Sequence, residues 1–306
     1  MAKWIVDTDA GIDDAQALIL GLSTPGFDII AITTVTGNTK EEDVFYNTSE
    51  ILRVCDREDI PIYRGARSPI LRNNVFASHF HGIDGLGEYW SRHERPSFPQ
   101  RNLETASQAI VRLSKEHSDL SLLCLGPLTN FATALLIDPN IKFTQVIAMG
   151  GNSNCIGNIT QLAEFNFYAD PEAAQIVLKR YPFTTLVTWE LTFMEELLFD
   201  KEKSELWYSD TKKGEFIRDI TSWVLDRCEK TATCDSVAMA VAIDQTLIME
   251  YEDQPGEVCI ENGITSGMVI VYRNKQRYGD MAINIRLINK INAERFWEMM
   301  FQSTKG

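Results

Sequence analysis

The chain reads as an α/β protein, a single domain with a mostly parallel central sheet flanked by helices, and three observations predict it. Strand-like and helix-like segments alternate through the first two-thirds of the 306 residues, the rhythm of βαβ units. Residues 29–35, Ile-Ile-Ala-Ile-Thr-Thr-Val, form an unbroken and mostly β-branched run, as a strand buried on both faces requires. Several strand ends pass into polar or Gly-rich turns: residues 9–14, Gly37-Asn38, Gly126-Pro127, Met149-Gly150-Gly151 and Thr188-Trp189-Glu190. In a parallel sheet such turns gather at one edge, where ligands bind.

Taken in order, Lys3-Trp4-Ile5-Val6 is a short strand, Gly11 allows a tight turn, and Asp14-Ala15-Gln16-Ala17-Leu18-Ile19-Leu20 reads as a helix. After the 29–35 strand, residues 41–55 place Val44, Phe45, Ile51, Leu52 and Cys55 near one helical face. Pro61-Ile62-Tyr63-Arg64-Gly65 is a short strand and turn. Residues 72–101, rich in Asn, His, Gly, Arg and Pro, read as a long loop, and loops of that length inside a compact domain are often functional. A helix over 103–115, a strand over 120–125, a helix over 131–136 and a strand over 146–149 continue the alternation. A helix is expected from Pro171, with a strand over 184–188. Helices near 192–207, 214–228 and 235–243 come next. Short strands near 247–251, 257–260, 268–272 and 281–287 and a last helix over 292–301 complete the chain. No linker, charge block or repeat interrupts it, so residues 1–306 read as one domain.

Composition narrows the function. With 44% hydrophobic and 24% charged residues the chain supports an ordinary core. A formal net charge of −14 disfavours nucleic acid, which needs a basic surface, and steers phosphorylated substrates away, leaving a neutral small molecule as the easier ligand. The six cysteines show no C-x-x-C pairing or zinc spacing, so reduced thiols and a cytoplasmic location are expected. The strand at the very N-terminus leaves no room for a signal peptide. No apolar run approaches the roughly 20 residues of a membrane helix.

Four carboxylates fall within the string Asp7-Thr8-Asp9-Ala10-Gly11-Ile12-Asp13-Asp14. Clustered acids repel and raise one another's pKa unless a cation neutralises them. All-oxygen donors without a nearby His or Cys favour Ca²⁺ or Mg²⁺ over zinc. Asp13 and Asp14 as mere helix caps explain either residue alone but not the whole string. The segment 157–171, Gly-Asn-Ile-Thr-Gln-Leu-Ala-Glu-Phe-Asn-Phe-Tyr-Ala-Asp-Pro, mixes amides, acids and aromatics. It suits a ligand with several hydroxyls beside a planar part, or else is a surface loop ending in a cap at Asp170-Pro171. Asp235 heads a helix and is either its cap or a distant acid completing the metal site. His81 is either a solvated loop side chain or a ligand contact.

Together these segments resemble the inosine-uridine-preferring nucleoside hydrolase family. The resemblance runs from Asp7–Leu18 through Gly37-Asn38, His81-Gly82, Gly85-Leu86-Gly87, Gly126–Asn130, Met149–Gly151 and Glu164–Pro171 to Asp235–Asp244. It implies a Rossmann-like fold and Ca²⁺-dependent hydrolysis of the N-glycosidic bond of a ribonucleoside, releasing base and ribose, by a homodimer or homotetramer. By position it implies Asp9, Asp14, Asp235 and the Leu125 carbonyl as calcium ligands, with Asp9 also the general base on the metal-bound water. Asp13 would hold the ribose 2′-hydroxyl and Asn38 would place ribose and water. Asn158, Glu164 and Asn166 would grip the hydroxyls, Met149 would lie against the sugar, and Phe165 or Phe167 with His81 would lie near the base. Many family members carry His before the last acid; this chain carries Cys234, like the subgroup with Cys there. A thiol can in principle donate a proton to the leaving base but is a poorer hydrogen-bond donor, so Cys234 and His81 stand beside Asp9 as the candidate catalytic residues. Glu190 stands where Asp is commoner and reads either as a support behind the site's ligands or as structural. Two further readings compete. One is a catalytically weak ribonucleoside-binding protein, motivated by Cys234. The other is a Mg²⁺ phosphohydrolase using Asp7 and Asp9, which lacks the expected phosphate loop and later Lys.

Overall fold

The computed structural model describes residues 2–96 and 103–305. In chain order the elements are β1 (Lys3–Thr8), α1 (Ile12–Ser23), β2 (Asp28–Thr34), α2 (Glu41–Val54), β3 (Ile62–Arg64), α3 (Ser78–His81), α4 (Ala106–Glu116), β4 (Leu120–Cys124), α5 (Thr129–Ile137) and β5 (Val146–Met149). Then come α6 (Phe165–Ala169), α7 (Pro171–Arg180), β6 (Thr184–Val187), α8 (Trp189–Thr192), α9 (Lys201–Glu205), α10 (Lys212–Leu225) and α11 (Cys234–Ile243). Finally come β7 (Ile248–Gln254), β8 (Gly256–Val258), β9 (Val269–Val271), α12 (Lys275–Tyr278), β10 (Ile285–Ile291) and α13 (Ala293–Ser303).

Eight strands form one sheet in the order β3-β2-β1-β4-β5-β6-β10-β7. All neighbours are parallel except β7, which runs antiparallel to β10. The expected single-domain α/β architecture with a mostly parallel sheet is therefore the observed one. From β1 the chain moves to β2 and β3 on one side, then returns to β4 on the other. The β1–β4 boundary is thus the point where strand order reverses, and a crevice opens at the carboxyl ends there. The strands are apolar because helices cover both faces: Ile5, Leu122 and Ala148 enter one buried cluster while Val6, Leu123 and Ile147 enter the other. Burial also explains α1, whose first ten residues are all buried, including Asp13, Asp14 and Gln16. It runs against α11, which is equally apolar.

Several boundaries differ from expectation. Instead of the single helix expected over 192–207, the chain has a 3-10 turn at Glu195–Leu197 and the short α9, with α8 ending at Thr192. A new start at Asp200, whose carboxylate caps the Lys203 N–H, sets α9 apart. The strand expected over 281–287 runs instead from Ile285 to Ile291. Asn284 is used as an anchor: its side chain accepts from the Gly256 N–H and donates to the Leu178 and Gly256 carbonyls. The strands expected near 257–260 and 268–272 form a separate antiparallel pair, β8–β9. The long loop contains the turn of helix α3, and residues 97–101 of it lie outside the described residues. Among the described residues no helix is long and apolar enough to cross a membrane.

Candidate active site

The acid string occupies the turn from β1 into α1. Asp7 points into the sheet, where its Oδ1 accepts from Thr33 Oγ1 at 2.5 Å and Asn130 Nδ2 at 2.7 Å. Thr8 Oγ1 donates to Asp14 Oδ1, and the Gly11 N–H and Asn38 Nδ2 donate to Asp14 Oδ2 at 2.8 and 3.1 Å. Ala10 carries a left-handed φ of 31°. Its carbonyl is held by Asn47 Nδ2 at 3.0 Å, which also reaches the Asp84 carbonyl. Asp9 is fully buried, and its Oδ2 accepts from the Asn38 N–H at 2.7 Å. Two glycines make room for it. A Cβ on Gly37 would stand 2.0 Å from Asp9 Oδ2, and one on Gly126 would stand 2.9 Å from its Cγ.

α11 brings Asp235 to the same place from more than two hundred residues away. One oxygen each from Asp13, Asp14 and Asp235 lies within 4.8 Å of the others. This trio includes Asp13 where the resemblance implies Asp9, one oxygen of which is engaged by the Asn38 N–H. Oδ1 of Asp9, of Asp13 and of Asp235 is buried without a hydrogen-bond partner. Burial above all, then mutual repulsion, raises the pKa of Asp9 and Asp235 well above the carboxylate range. Burial pushes Asp13 up to about 6 and also raises Asp14. Orphaned oxygens in a dry, acid-rich and all-oxygen setting are what a hard cation needs, so the residues present fit one.

Above these acids lies a cavity of ≈ 480 Å³. Of the expected site residues, Asp13, Asn38, His81, Leu125, Met149, Asn158, Glu164, Phe165, Asn166, Cys234 and Asp235 line it. Asp9 and Asp14 sit behind that lining. Glu164 caps α6 with Oε1 on the Asn166 N–H and Oε2 on the Gly151 N–H, and burial pushes it up to about 7. Asn166 Nδ2 donates to the Leu125 carbonyl at 2.7 Å and to the Met149 carbonyl at 3.2 Å. It thus ties α6 to the ends of β4 and β5.

His81 is buried, and its Nδ1 accepts from the Ile12 N–H at 3.0 Å. That bond places the ring proton on Nε2. Burial lowers its pKa to about 4, so the ring is neutral near pH 7. Cys234 lies 3.2 Å from Thr192 Oγ1, and burial pushes its thiol up.

Phe167 does not reach the cavity. It is fully buried in the core, packed under Gly150 and Gly151. The cause is helical geometry, since residues two apart do not share a face and Phe165 takes the cavity side. Glu190 is structural, accepting from the Ser153 and Asn154 N–H groups at 2.9 and 2.7 Å. Sequence reasoning gave no site role to Trp189, Phe193, Arg227, Lys230 and Thr231 of the lining. For Trp189 a signal existed: an aromatic directly after a strand end, in a turn already noted for its polarity.

The description "inosine-uridine preferring nucleoside hydrolase" matches residues 4–298 as a family model. An inosine-uridine preferring nucleoside hydrolase from Leishmania major is 32% identical over 305 residues, covering 96% of this chain and 95% of that protein. The structure of a plant nucleoside hydrolase superposes with a TM-score of 0.91 at 28% identity, covering 100% of this chain and 99% of that one. That of a purine-preferring ribonucleoside hydrolase from Gardnerella vaginalis gives 0.89 at 26% identity, covering 99% and 98%. With a family model along nearly its whole length and a relative this similar end to end, the chain belongs to the inosine-uridine preferring nucleoside hydrolase family and is a nucleoside hydrolase.

Proposed function

We propose that this enzyme hydrolyses the N-glycosidic bond of ribonucleosides with Ca²⁺ held by Asp9, Asp14, Asp235 and the Leu125 carbonyl, with Asp13 beside them, and with Asp9 as the general base. The observation that carries it is the set of buried, unpartnered carboxylate oxygens beneath a cavity walled by Glu164, Asn166 and Asn158. A bound Ca²⁺ supplies charge neutralisation of the acids, orientation of a vicinal diol and a lower pKa for a water molecule.

The chain's own groups do the rest. Asp9 keeps one oxygen on the Asn38 N–H and has the other free to take the proton of the attacking water. Asp13, Asn158, Glu164 and Asn166 hold the ribose hydroxyls, and Met149 packs against the sugar. As the C–N bond breaks, positive charge grows on the ribose. Asp9, Asp14 and Glu164 are already oriented by backbone N–H groups and stabilise that charge with little reorganisation. Asn38 fixes Asp9 through its N–H and Asp14 through its amide, so one residue sets both acids.

The test is release of ribose and base from a panel of ribonucleosides, with EDTA and with added Ca²⁺. EDTA-sensitive release restored by Ca²⁺, and lost in a folded Asp9→Ala variant, is the expected result. Normal turnover by Asp9→Ala overturns the assignment of the base. Turnover indifferent to chelation overturns the metal. Ribonucleoside binding without any base release would favour the binding-protein reading.

A further inference from the structure

Cys234, Thr192 and Trp189 are joined by contacts that the reaction above does not use. Thr192 is fully buried. Its Oγ1 lies 3.2 Å from Cys234 Sγ and 3.0 Å from the main-chain carbonyl of Trp189. A threonine hydroxyl has one proton. The Trp189 carbonyl can only accept, and it already receives the Phe193 N–H at 3.0 Å. The hydroxyl proton is shared between that carbonyl and the sulfur, with Thr192 the donor to both. Cys234 Sγ thus accepts from Thr192 and fixes its hydroxyl at the start of α8.

Trp189 is the first residue of α8, and Phe193 follows α8 directly. Their rings stack at 4.7 Å between centroids and 26° between planes, and both line the cavity. Phe193 is 49% exposed. A stacked aromatic pair left open on a ligand cavity beside Ile159 and Phe165 offers a face to a flat ring. Stacking reads the face of a base rather than its edges, so it tolerates many bases and gains with ring area.

On the reading under Proposed function, we propose that Cys234 is a positioning residue rather than the proton donor to the leaving base. Through Thr192 it holds α8 in place, and α8 presents Trp189 and Phe193 as the surface on which the nucleobase stacks, with bicyclic purines favoured over pyrimidines.

Steady-state kinetics on inosine, uridine and 4-nitrophenyl β-D-ribofuranoside test this, because the nitrophenolate leaves without needing a proton. Release of ribose by the wild type establishes the underlying activity independently of any variant. Trp189→Leu is expected to raise KM for inosine about tenfold, the loss of one stacked base, and to raise it less for uridine. Cys234→Ala and Thr192→Val are expected to raise KM for inosine and the nitrophenyl riboside alike, leaving the pH profile of kcat in place. Cys234→Ser, whose hydroxyl oxygen accepts from Thr192 as the sulfur does, should recover most of that loss.

The outcome that overturns the proposal is a fall of about a hundredfold or more in kcat on inosine for Cys234→Ala, the size of a lost general acid, with the nitrophenyl riboside unaffected. An unchanged KM in Trp189→Leu overturns the stacking surface. If Thr192→Val does not fold, the comparison of Cys234→Ala with Cys234→Ser on the two leaving groups decides alone.

Discussion

Stripped of cations, the protein should lose stability as the pH rises from about 5 to about 8, and a cation should restore more at the upper end. The sign follows from where the protons sit. Burial raises Asp7 from 3.8 to about 7, Asp13 from 3.8 to about 6 and Glu164 from 4.5 to about 7. Between those values the fold binds more protons than the unfolded chain, so stability falls with pH. Integrated over this window at 1.36 kcal/mol per pKa unit, the three groups together cost roughly 6 kcal/mol. His81 works the other way. Its folded value of about 4 lies below 6.5, so its contribution grows as pH rises through that range and returns about 2 kcal/mol. The net loss is roughly 4 kcal/mol, or a fall in Tm of roughly 8 °C for a chain of this size. Asp9 and Asp235, also raised by burial, act in the same direction. A cation competes with these protons, so its stabilisation increases with pH. The assay is thermal unfolding at several pH values in EDTA and in millimolar Ca²⁺, for the wild type and Glu164→Gln. The variant should flatten the EDTA curve. A Ca²⁺-dependent gain in Tm that is constant or shrinks from pH 5 to pH 8 refutes the reasoning.

Three more outcomes are expected. Phe167→Ala should cost about 3–5 kcal/mol as a core truncation, seen as a lower Tm, with KM of the folded enzyme unmoved. Phe165→Ala should raise KM with a smaller effect on Tm, and the reverse pattern would exchange their roles. Glu190→Ala strips the carboxylate from the Ser153 and Asn154 N–H groups, at a cost of about 1–3 kcal/mol. Hydrogen exchange should quicken at residues 153–156, and unchanged protection there would contradict the assignment. Gly37→Ala drives a methyl to 2.0 Å from Asp9 Oδ2. It should lower kcat by about a hundredfold, as a displaced catalytic group does, while circular dichroism stays native. Full activity would mean that Asp9 tolerates the shift.

The half of the fold nearest the site was legible because local chemistry and tertiary role coincide there. An apolar run, a glycine turn and an acidic helix start describe β1 into α1 without any knowledge of the neighbours, and the same holds for Gly37-Asn38 after β2. The C-terminal third was less legible because its limits are set by partners. β10 extends to Ile291 since β7 pairs with it that far, and α8 and α9 are separate because Asp200 starts a new turn. Asp235 illustrates a third case. Its own neighbourhood offers two roles, cap or ligand, and only the packing of α11 against α1 brings it to Asp13 and Asp14. Phe165 and Phe167 differ by a rotation on a five-residue helix, which no composition argument resolves before the helix is placed.

Metal affinity, pH dependence and catalysis share one cause in this molecule. The sheet's reversal point buries Asp9 and Asp14 and sets Asp13 at the cavity floor, and α11 adds Asp235. With Glu164, five carboxylates then face one small volume. A bound dication favours the ionised form of the acids it touches, and on the proposed mechanism those carboxylates face the ribose as it becomes cationic, where burial screens the interaction less than water would. On that mechanism, the orphaned oxygens that make the metal-free fold sensitive to pH are the same atoms that favour the transition state. A substitution that relieves the first, such as Asp13→Asn, should stabilise the metal-free protein at pH 8 while lowering kcat. Variants that raise Tm in EDTA without any loss of turnover would break that link.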